Sequence, residues 1–218
     1  MVKSVLFDMD GLLVDTERVA RTAWKYAGEK CGVVVTDNFY ATLIGIGRDD
    51  SEKALLQQFG PDFPLDRFKD QRYNKMRNLL HGAELLKKGA AEILRFIHSR
   101  DIPMGLVTSS HHEDVDDRLG SLTRYFSVVV AREDVAHGKP APDLYQAALE
   151  KMEIGPDESI VLEDSPVGME AARRAGLDVI LVPDLISPGP DISEKAFAVC
   201  DDLFKAIELL GPILDTKY

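Results

Sequence analysis

Cysteine is scarce in this 218-residue chain: there are two, Cys31 and Cys200, far apart and outside any Cys-x-x-Cys spacing. That spacing supports neither a disulfide framework nor a zinc knuckle and leaves two ordinary thiols. Basic charge is also short, with 26 Lys and Arg against 37 Asp and Glu and a formal net charge of −11. A balance of this sign argues against broad binding to nucleic acid or to an anionic membrane surface, both of which need basic stripes. No segment approaches the ~18 consecutive apolar residues of a membrane span. Asp8 and Asp10 interrupt the only apolar run near the start, so no signal-peptide pattern is formed and a cytoplasmic location is expected. Internal repeats and low-complexity segments are absent as well.

What the chain does contain is a series of short apolar runs separated by helical patterns. Ser4–Asp8, Pro103–Thr108, Ser127–Ala131, Ser159–Glu163 and Val179–Val182 read as strands. Their near-continuous apolarity, rather than strict alternation, fits strands buried on both faces of a parallel sheet. Helical patterns fall at Ala90–Ser99, His112–Leu119, Pro142–Lys151, Val167–Ala175 and Leu203–Leu210, with Pro142 just inside one start and Gly176 just past one end. Alternation of this kind predicts an α/β fold with a Rossmann-like, doubly wound parallel sheet.

Residues 16–83 break the rhythm. They contain no convincing strand pair and four helical patterns, Glu17–Lys30, Asp37–Leu43, Asp50–Phe59 and Asp66–Leu80, joined by the turn-forming stretches LIGIGRDDSE and FGPDFPLD. An inserted all-helical cap domain over residues 16–83 is expected, with residues 1–15 and 84–218 forming the core domain. The competing reading is an elaborated crossover within one domain.

In a doubly wound sheet, ligands bind beyond the carboxyl ends of the strands. Four of the expected strand ends carry reactive or anion-binding residues: Asp8 with Asp10 just beyond it, Thr108, Lys139 in HGKPAPD, and Glu163 with Asp164. An ionised carboxylate leaving water is strongly penalised unless paired or bound to metal. Acids alone would also repel an anionic substrate, since at 4 Å and an effective dielectric near 20 each unit pair costs about 4 kcal/mol. A divalent cation held by Asp8 and Asp164 reverses that sign, and Mg²⁺ is the ion that takes one or two carboxylates plus phosphate oxygens. Lys139 adds a second positive charge and Thr108 a donor to a phosphoryl oxygen. No His or Cys cluster competes for a softer metal. The set points to phosphate-ester chemistry, in which one carboxylate attacks phosphorus and a second moves protons. Two acids separated by one residue suit those roles because Gly11 allows the chain to turn between them and the next segment.

DMDGLLVDTE, VTSS, HGKPAPD and LEDSPVGMEAA, in this order, resemble the four motifs of the haloacid dehalogenase superfamily, specifically its phosphatase branch. The resemblance spans nearly the whole chain, including the helical insertion, which is similar to the family's mobile cap. It implies that Asp8 is the nucleophile and Asp10 the general acid/base, whose backbone carbonyl also meets Mg²⁺. It implies that Thr108 and Lys139 hold the phosphoryl group, with Lys139 also steadying Asp8. Asp164 would ligate Mg²⁺, and Glu163 would be a second ligand or would support one. The family's dehalogenases lack the acid two positions after the nucleophile, so Asp10 favours phosphoryl transfer.

Around this set stand less specific candidates. Ser109 is placed to assist through its hydroxyl or backbone N–H. Arg48, in a Gly-rich loop of the expected cap, could fork onto a phosphate or sugar oxygen, or else pair with Asp49, Asp50 or Glu52. Asp15 and Thr16 read as hinge or helix-capping residues, His111 and His112 as solvated residues at a helix start, and Trp24 and Tyr26 as packing residues. Within the resembling group, β-phosphoglucomutases carry a His near the start of the first cap helix and a Lys just before the Gly-x-x-Arg loop. The matching positions here hold Ala20 and Ile44, so hydrolysis of a small sugar, nucleotide or polyol phosphate is expected over mutase action. The third reading is a phosphate-binding regulatory protein without turnover. A small phosphorylated metabolite is the expected partner, and a monomer is the default oligomeric state.

Overall fold

The computed structural model describes residues 1–80, 85–185 and 188–215. In chain order its elements are β1 (Ser4–Phe7), α1 (Thr16–Lys30), α2 (Asp37–Ala41), α3 (Arg48–Phe59), α4 (Leu65–Leu80), α5 (Ala90–His98) and β2 (Met104–Val107). There follow α6 (His112–Leu119), β3 (Val128–Val130), α7 (Asp143–Met152), β4 (Ser159–Glu163), α8 (Pro166–Arg174), β5 (Asp178–Leu181), α9 (Pro190–Ser193), β6 (Ala198–Val199) and α10 (Leu203–Leu214). The six strands form one parallel sheet in the order β3-β2-β1-β4-β5-β6. β1 lies at the centre, with Phe7 opposite Leu106 on one side and Leu162 on the other. The strand order reverses there, and the crevice beyond the carboxyl ends of β1 and β4 is where such sheets bind ligands.

Both faces of the sheet are covered, which explains the continuous apolar runs. Val5, Phe7, Leu106 and Leu162 pack on one face against α5, α6 and α10, while Leu6, Val107, Val161 and Val179 pack on the other against α7 and α8. The five expected strands are present within a residue or two at each end. β6, only two residues long, and the four-residue α9 fall below what periodicity can register. α10 runs on through Gly211 and Pro212, four residues beyond its expected end.

The helical insertion has an apolar core of its own. Trp24 and Ala27 of α1, Tyr40 of α2, Leu55 of α3 and Phe68 of α4 are buried together with Leu43, Ile44 and Phe63. Trp24 stands edge-on to Phe68 with ring centroids 5.1 Å apart, which fulfils its expected packing role. Two chain segments connect this group to the sheet, and they are tied by backbone bonds from Asp15 N–H to the Leu85 carbonyl and from Lys87 N–H to that of Leu13. The boundary expected at 83/84 lies outside the described residues. α3 begins at Arg48, two residues before its expected start and directly after Gly47, so Arg48 belongs to a first helical turn rather than to a loop. Among the described residues no helix is long and apolar enough to cross a membrane.

Candidate active site

The carboxyl ends of β1, β2 and β4 and the segment between β3 and α7 bring Asp8, Thr108, Lys139, Glu163 and Asp164 together, all of them buried. Asp8 is held at its strand end by its backbone N–H, which donates to the Leu162 carbonyl of β4. The Lys139 ammonium, 1% exposed, donates to Asp8 Oδ1 at 2.6 Å, to Glu163 Oε1 at 2.7 Å and to the Val107 carbonyl at 3.1 Å. All three of its donors are therefore used. Burial works to lower its pKa, but the carboxylates of Asp8 and Glu163 outweigh that and hold it above the ordinary lysine value.

Glu163 is an anchor in this arrangement. Oε1 also accepts from the Tyr145 hydroxyl at 2.7 Å, and Oε2 accepts from the backbone N–H groups of Asp164 and Ser165 at 3.2 and 3.4 Å and from the Ser165 hydroxyl at 3.3 Å. Gly168 makes room for it: a Cβ there would come within 1.9 Å of Glu163 Oε1. Burial, with repulsion from Glu163, also lifts the Tyr145 hydroxyl well above its usual pKa and keeps it a donor.

Carboxylate oxygens of Asp8, Glu163 and Asp164 lie within 4.8 Å of one another, a compact all-oxygen group. Burial first, and mutual repulsion second, raise the pKa of Asp164 well above the usual carboxylate range, and burial does the same to Asp8 against the pull of Lys139. One ammonium does not neutralise three buried acids, and a hard divalent cation is the chemistry that would. Gly11 clears the approach, because its φ of +88° is left-handed and a Cβ would sit 2.0 Å from Asp164 Oδ2. The donor set thus fits Mg²⁺. Glu163, with both oxygens already accepting, is the least free of the three to ligate.

Asp10 is held apart from that group. Its Oδ1 accepts from the Thr16 hydroxyl and from Arg118 Nη1 at 2.6 Å, and its Oδ2 accepts from the Ser110 hydroxyl at 2.7 Å. Arg118 also donates to Ser110 Oγ and to Asp114, at 2.9 Å each. The two acids of one motif therefore have different holders: Asp8 a lysine of the core, Asp10 two hydroxyls and a guanidinium. Sequence reasoning missed Arg118, Ser110 and the true partner of Thr16, which bonds Asp10 rather than capping α1. The one available signal was Arg118 four residues after Asp114 on α6, an ordinary helix pair.

The remaining candidates separate. Thr108 is 1% exposed, and its Oγ1 accepts from Ser110 N–H at 3.0 Å, which leaves its O–H to donate. The Ser109 hydroxyl donates to the Gly45 carbonyl at 3.3 Å, joining the strand end to the insertion. His111 faces Glu133 and His112 faces Asp134, each at 3.1 Å, so both are occupied at the start of α6. Arg48 forms no ion pair with Asp49, Asp50 or Glu52 among the described residues, and it lines the cavity. That cavity, about 800 Å³, has Asp8, Asp10, Thr108 and Lys139 on its sheet side and Glu17, Arg48 and Arg72 on its helical side. Glu17 and Arg72, with Tyr40 donating to Glu17 Oε2 at 2.8 Å, were not singled out from the sequence.

Comparison with known proteins places these residues in a family. The model of the haloacid dehalogenase-like hydrolases matches residues 5–182. A phosphorylated carbohydrates phosphatase of Thermotoga maritima is 32% identical over 183 residues, 82% of this chain and 84% of that protein. A probable pseudouridine-5′-phosphatase of Drosophila melanogaster is 30% identical over 191 residues, 84% of this chain and 82% of that one. Among solved structures, a putative β-phosphoglucomutase of Thermotoga maritima superposes with a TM-score of 0.77 at 28% identity, covering 97% of this chain and all of that one. With the family's motif acids gathered at the ends of β1 and β4, the chain belongs to the haloacid dehalogenase-like hydrolases.

Proposed function

We propose that this chain is a Mg²⁺-dependent cytoplasmic phosphatase of small phosphomonoesters working through an aspartyl phosphate on Asp8, with residues 1–15 and 84–218 as its core and 16–83 as its cap. The observation that carries the reading is the separate holding of two neighbouring acids on one cavity: Asp8 by Lys139 at 2.6 Å, Asp10 by Thr16, Ser110 and Arg118. Environments that differ in this way assign different roles to like groups. Phosphorylated carbohydrates and pseudouridine 5′-phosphate, named for relatives, mark the range of substrate chemistry to be tried.

In this reading an oxygen of Asp8 attacks phosphorus and the ester P–O bond breaks. Asp10 gives its proton to the departing alkoxide. A water then attacks the aspartyl phosphate while Asp10 takes the proton back, which releases inorganic phosphate and restores Asp8. Thr108 donates to a phosphoryl oxygen, the positive charge of Lys139 offsets the charge of the phosphoryl group while its three donors hold Asp8, Glu163 and the Val107 carbonyl, Ser109 supports them beside Gly45, and Arg48 reaches the substrate from α3. Mg²⁺, held by Asp8 and Asp164 with the Asp10 carbonyl and Glu163 as further donors, would offset the negative charge of substrate and carboxylates.

Mutase action is disfavoured, because Ala20 offers no acid or base on the cavity wall and Ile44 is buried in the apolar core of the helices. The test is phosphate release from a panel of sugar, nucleotide and polyol phosphates with Mg²⁺. At least one ester is expected to be hydrolysed, and Asp8→Asn is expected to abolish that turnover. An inert panel, or an active Asp8→Asn, overturns the reading.

A further inference from the structure

We infer that Tyr145 is a positioning residue for the hydrolysis: by donating to Glu163 it keeps the Lys139 ammonium shared with Asp8 instead of drawn onto Glu163. This rests on the phosphatase reading and adds to it a residue that never meets the substrate. Tyr145 stands on α7, is 0% exposed and is not among the residues that line the cavity. It nevertheless touches both members of the Lys139–Glu163 pair. Its hydroxyl lies 2.7 Å from Glu163 Oε1, and Lys139 Nζ lies 5.1 Å from the centroid of its ring.

Packing does not call for the hydroxyl. The ring sits in the apolar group that Leu6 and Val107 of the sheet form with Leu144, Ala148 and Leu149 of α7. A phenylalanine would fill nearly the same volume there. A hydroxyl buried among such groups is costly unless it is hydrogen-bonded. Among the described residues, Glu163 Oε1 is the acceptor that satisfies it.

Its effect on the reaction follows from how Lys139 is divided. The ammonium lies 2.6 Å from Asp8 Oδ1 and 2.7 Å from Glu163 Oε1, close to even sharing between two carboxylates. Glu163 cannot follow the ammonium, because its Oε2 is fixed by the backbone N–H groups of Asp164 and Ser165 and by the Ser165 hydroxyl. Its Oε1 therefore competes with Asp8 for Lys139 from a fixed place. An oxygen that also accepts from Tyr145 divides its charge between two donors and pulls less on either. Without the hydroxyl, Oε1 would have Lys139 alone, in surroundings that screen the attraction poorly. The ammonium would move toward Glu163, the bond to Asp8 would lengthen, and the attacking carboxylate would lose its brace.

The experiment measures kcat and KM with Mg²⁺ for wild type and Tyr145→Phe, which keeps the ring and removes only the hydroxyl, on an ester that the wild type hydrolyses. Tyr145→Phe is expected to lower kcat by about tenfold, the scale of a lost hydrogen bond to a charged group, and to leave KM within about twofold. The same replacement is then made in Glu163→Gln, whose neutral amide no longer competes for the ammonium. There it is expected to change kcat by less than about twofold, whereas a merely structural Tyr145 would lower it by the same factor in both backgrounds. Where Glu163→Gln does not fold or turn over, the ammonium itself is read by NMR in protein labelled with heavy nitrogen at its lysine side chains. The signal that is missing from Lys139→Arg is expected to shift in Tyr145→Phe. A kcat for Tyr145→Phe within about twofold of wild type, equal losses in both backgrounds, or an unmoved ammonium signal overturns the inference and leaves the phosphatase reading in place. Failure of that reading looks different: the wild type itself hydrolyses no ester, and the inference falls with it.

Discussion

The ammonium of Lys139 lies 2.6 Å from Oδ1 of Asp8, with its other donors spent on Glu163 and the Val107 carbonyl. It is a buried cation shared between the acid proposed as nucleophile and an anchoring acid. Replacing it with Met leaves both carboxylates buried and uncompensated, a change that costs about 3–5 kcal/mol when one partner of such a pair is removed. Lys139→Met is expected to lower the urea midpoint accordingly, and more so as pH rises and the buried Asp8 is forced to ionise. Its kcat is expected to fall by about 10²–10³, as when a donor to a developing charge is removed. An unchanged midpoint would mean that Lys139 adds no net stability between the two acids.

Arg118 donates to Asp10, Ser110 and Asp114, so it acts on Asp10 by positioning it. Arg118→Met is expected to lower kcat by roughly 10²-fold, the scale of a 1 Å misplacement of a reacting group, with KM little changed. Arg118→Lys, which keeps a cation beside Asp10 without the fork, is expected to recover part of that loss. A uniform loss of active protein that Arg118→Lys does not restore would mark a folding defect instead.

Glu17 gives stability a pH dependence. Burial lifts its carboxyl from an ordinary 4.5 to about 7, against a hydrogen bond from Tyr40, with Asp10 and Asp184 adding repulsion and Arg118 attraction. Between those two values the folded state holds a proton that the unfolded chain has already lost. Stability from this group is therefore full at low pH, falls as pH rises through the window and stays lost above it. Glu17→Gln removes the dependence. Its Tm relative to wild type is expected to climb from about pH 5 to about pH 8, as read from thermal melts. A constant difference across that range would place the ionisation elsewhere.

Metal dependence can be read without turnover. Mg²⁺ that binds the folded protein alone stabilises it by about 2.7 kcal/mol at a hundred times its Kd. Titrating Mg²⁺ is expected to raise the Tm of wild-type protein and to leave that of Asp164→Asn unmoved, and EDTA is expected to reverse the rise and abolish activity. Equal shifts in both proteins would put the cation at a site that does not involve Asp164.

The strands, the helical insertion and the acids of the site were legible in the chain because each is a local signal. Val5–Phe7 reads as buried whatever surrounds it, and a strand's carboxyl end is known once the strand is. Gly11 and Gly168 stand as motif letters in the sequence, but their necessity emerges only beside Asp164 and Glu163, which a Cβ would strike. β6 and α9 carried too few residues to show a period.

The sequence by itself determined which residue types stand at the ends of β1, β2 and β4, because alternating apolar runs dictate a parallel sheet and the sheet gathers its strand ends. Only the tertiary structure decided who holds whom. Arg118 reaches Asp10 across 108 residues, Lys139 reaches Asp8 across 131, and Arg72 meets the cavity from a helix whose polar face looks like solvent-exposed surface. Such contacts depend on how helices are laid against the sheet, and no periodicity along the chain records that.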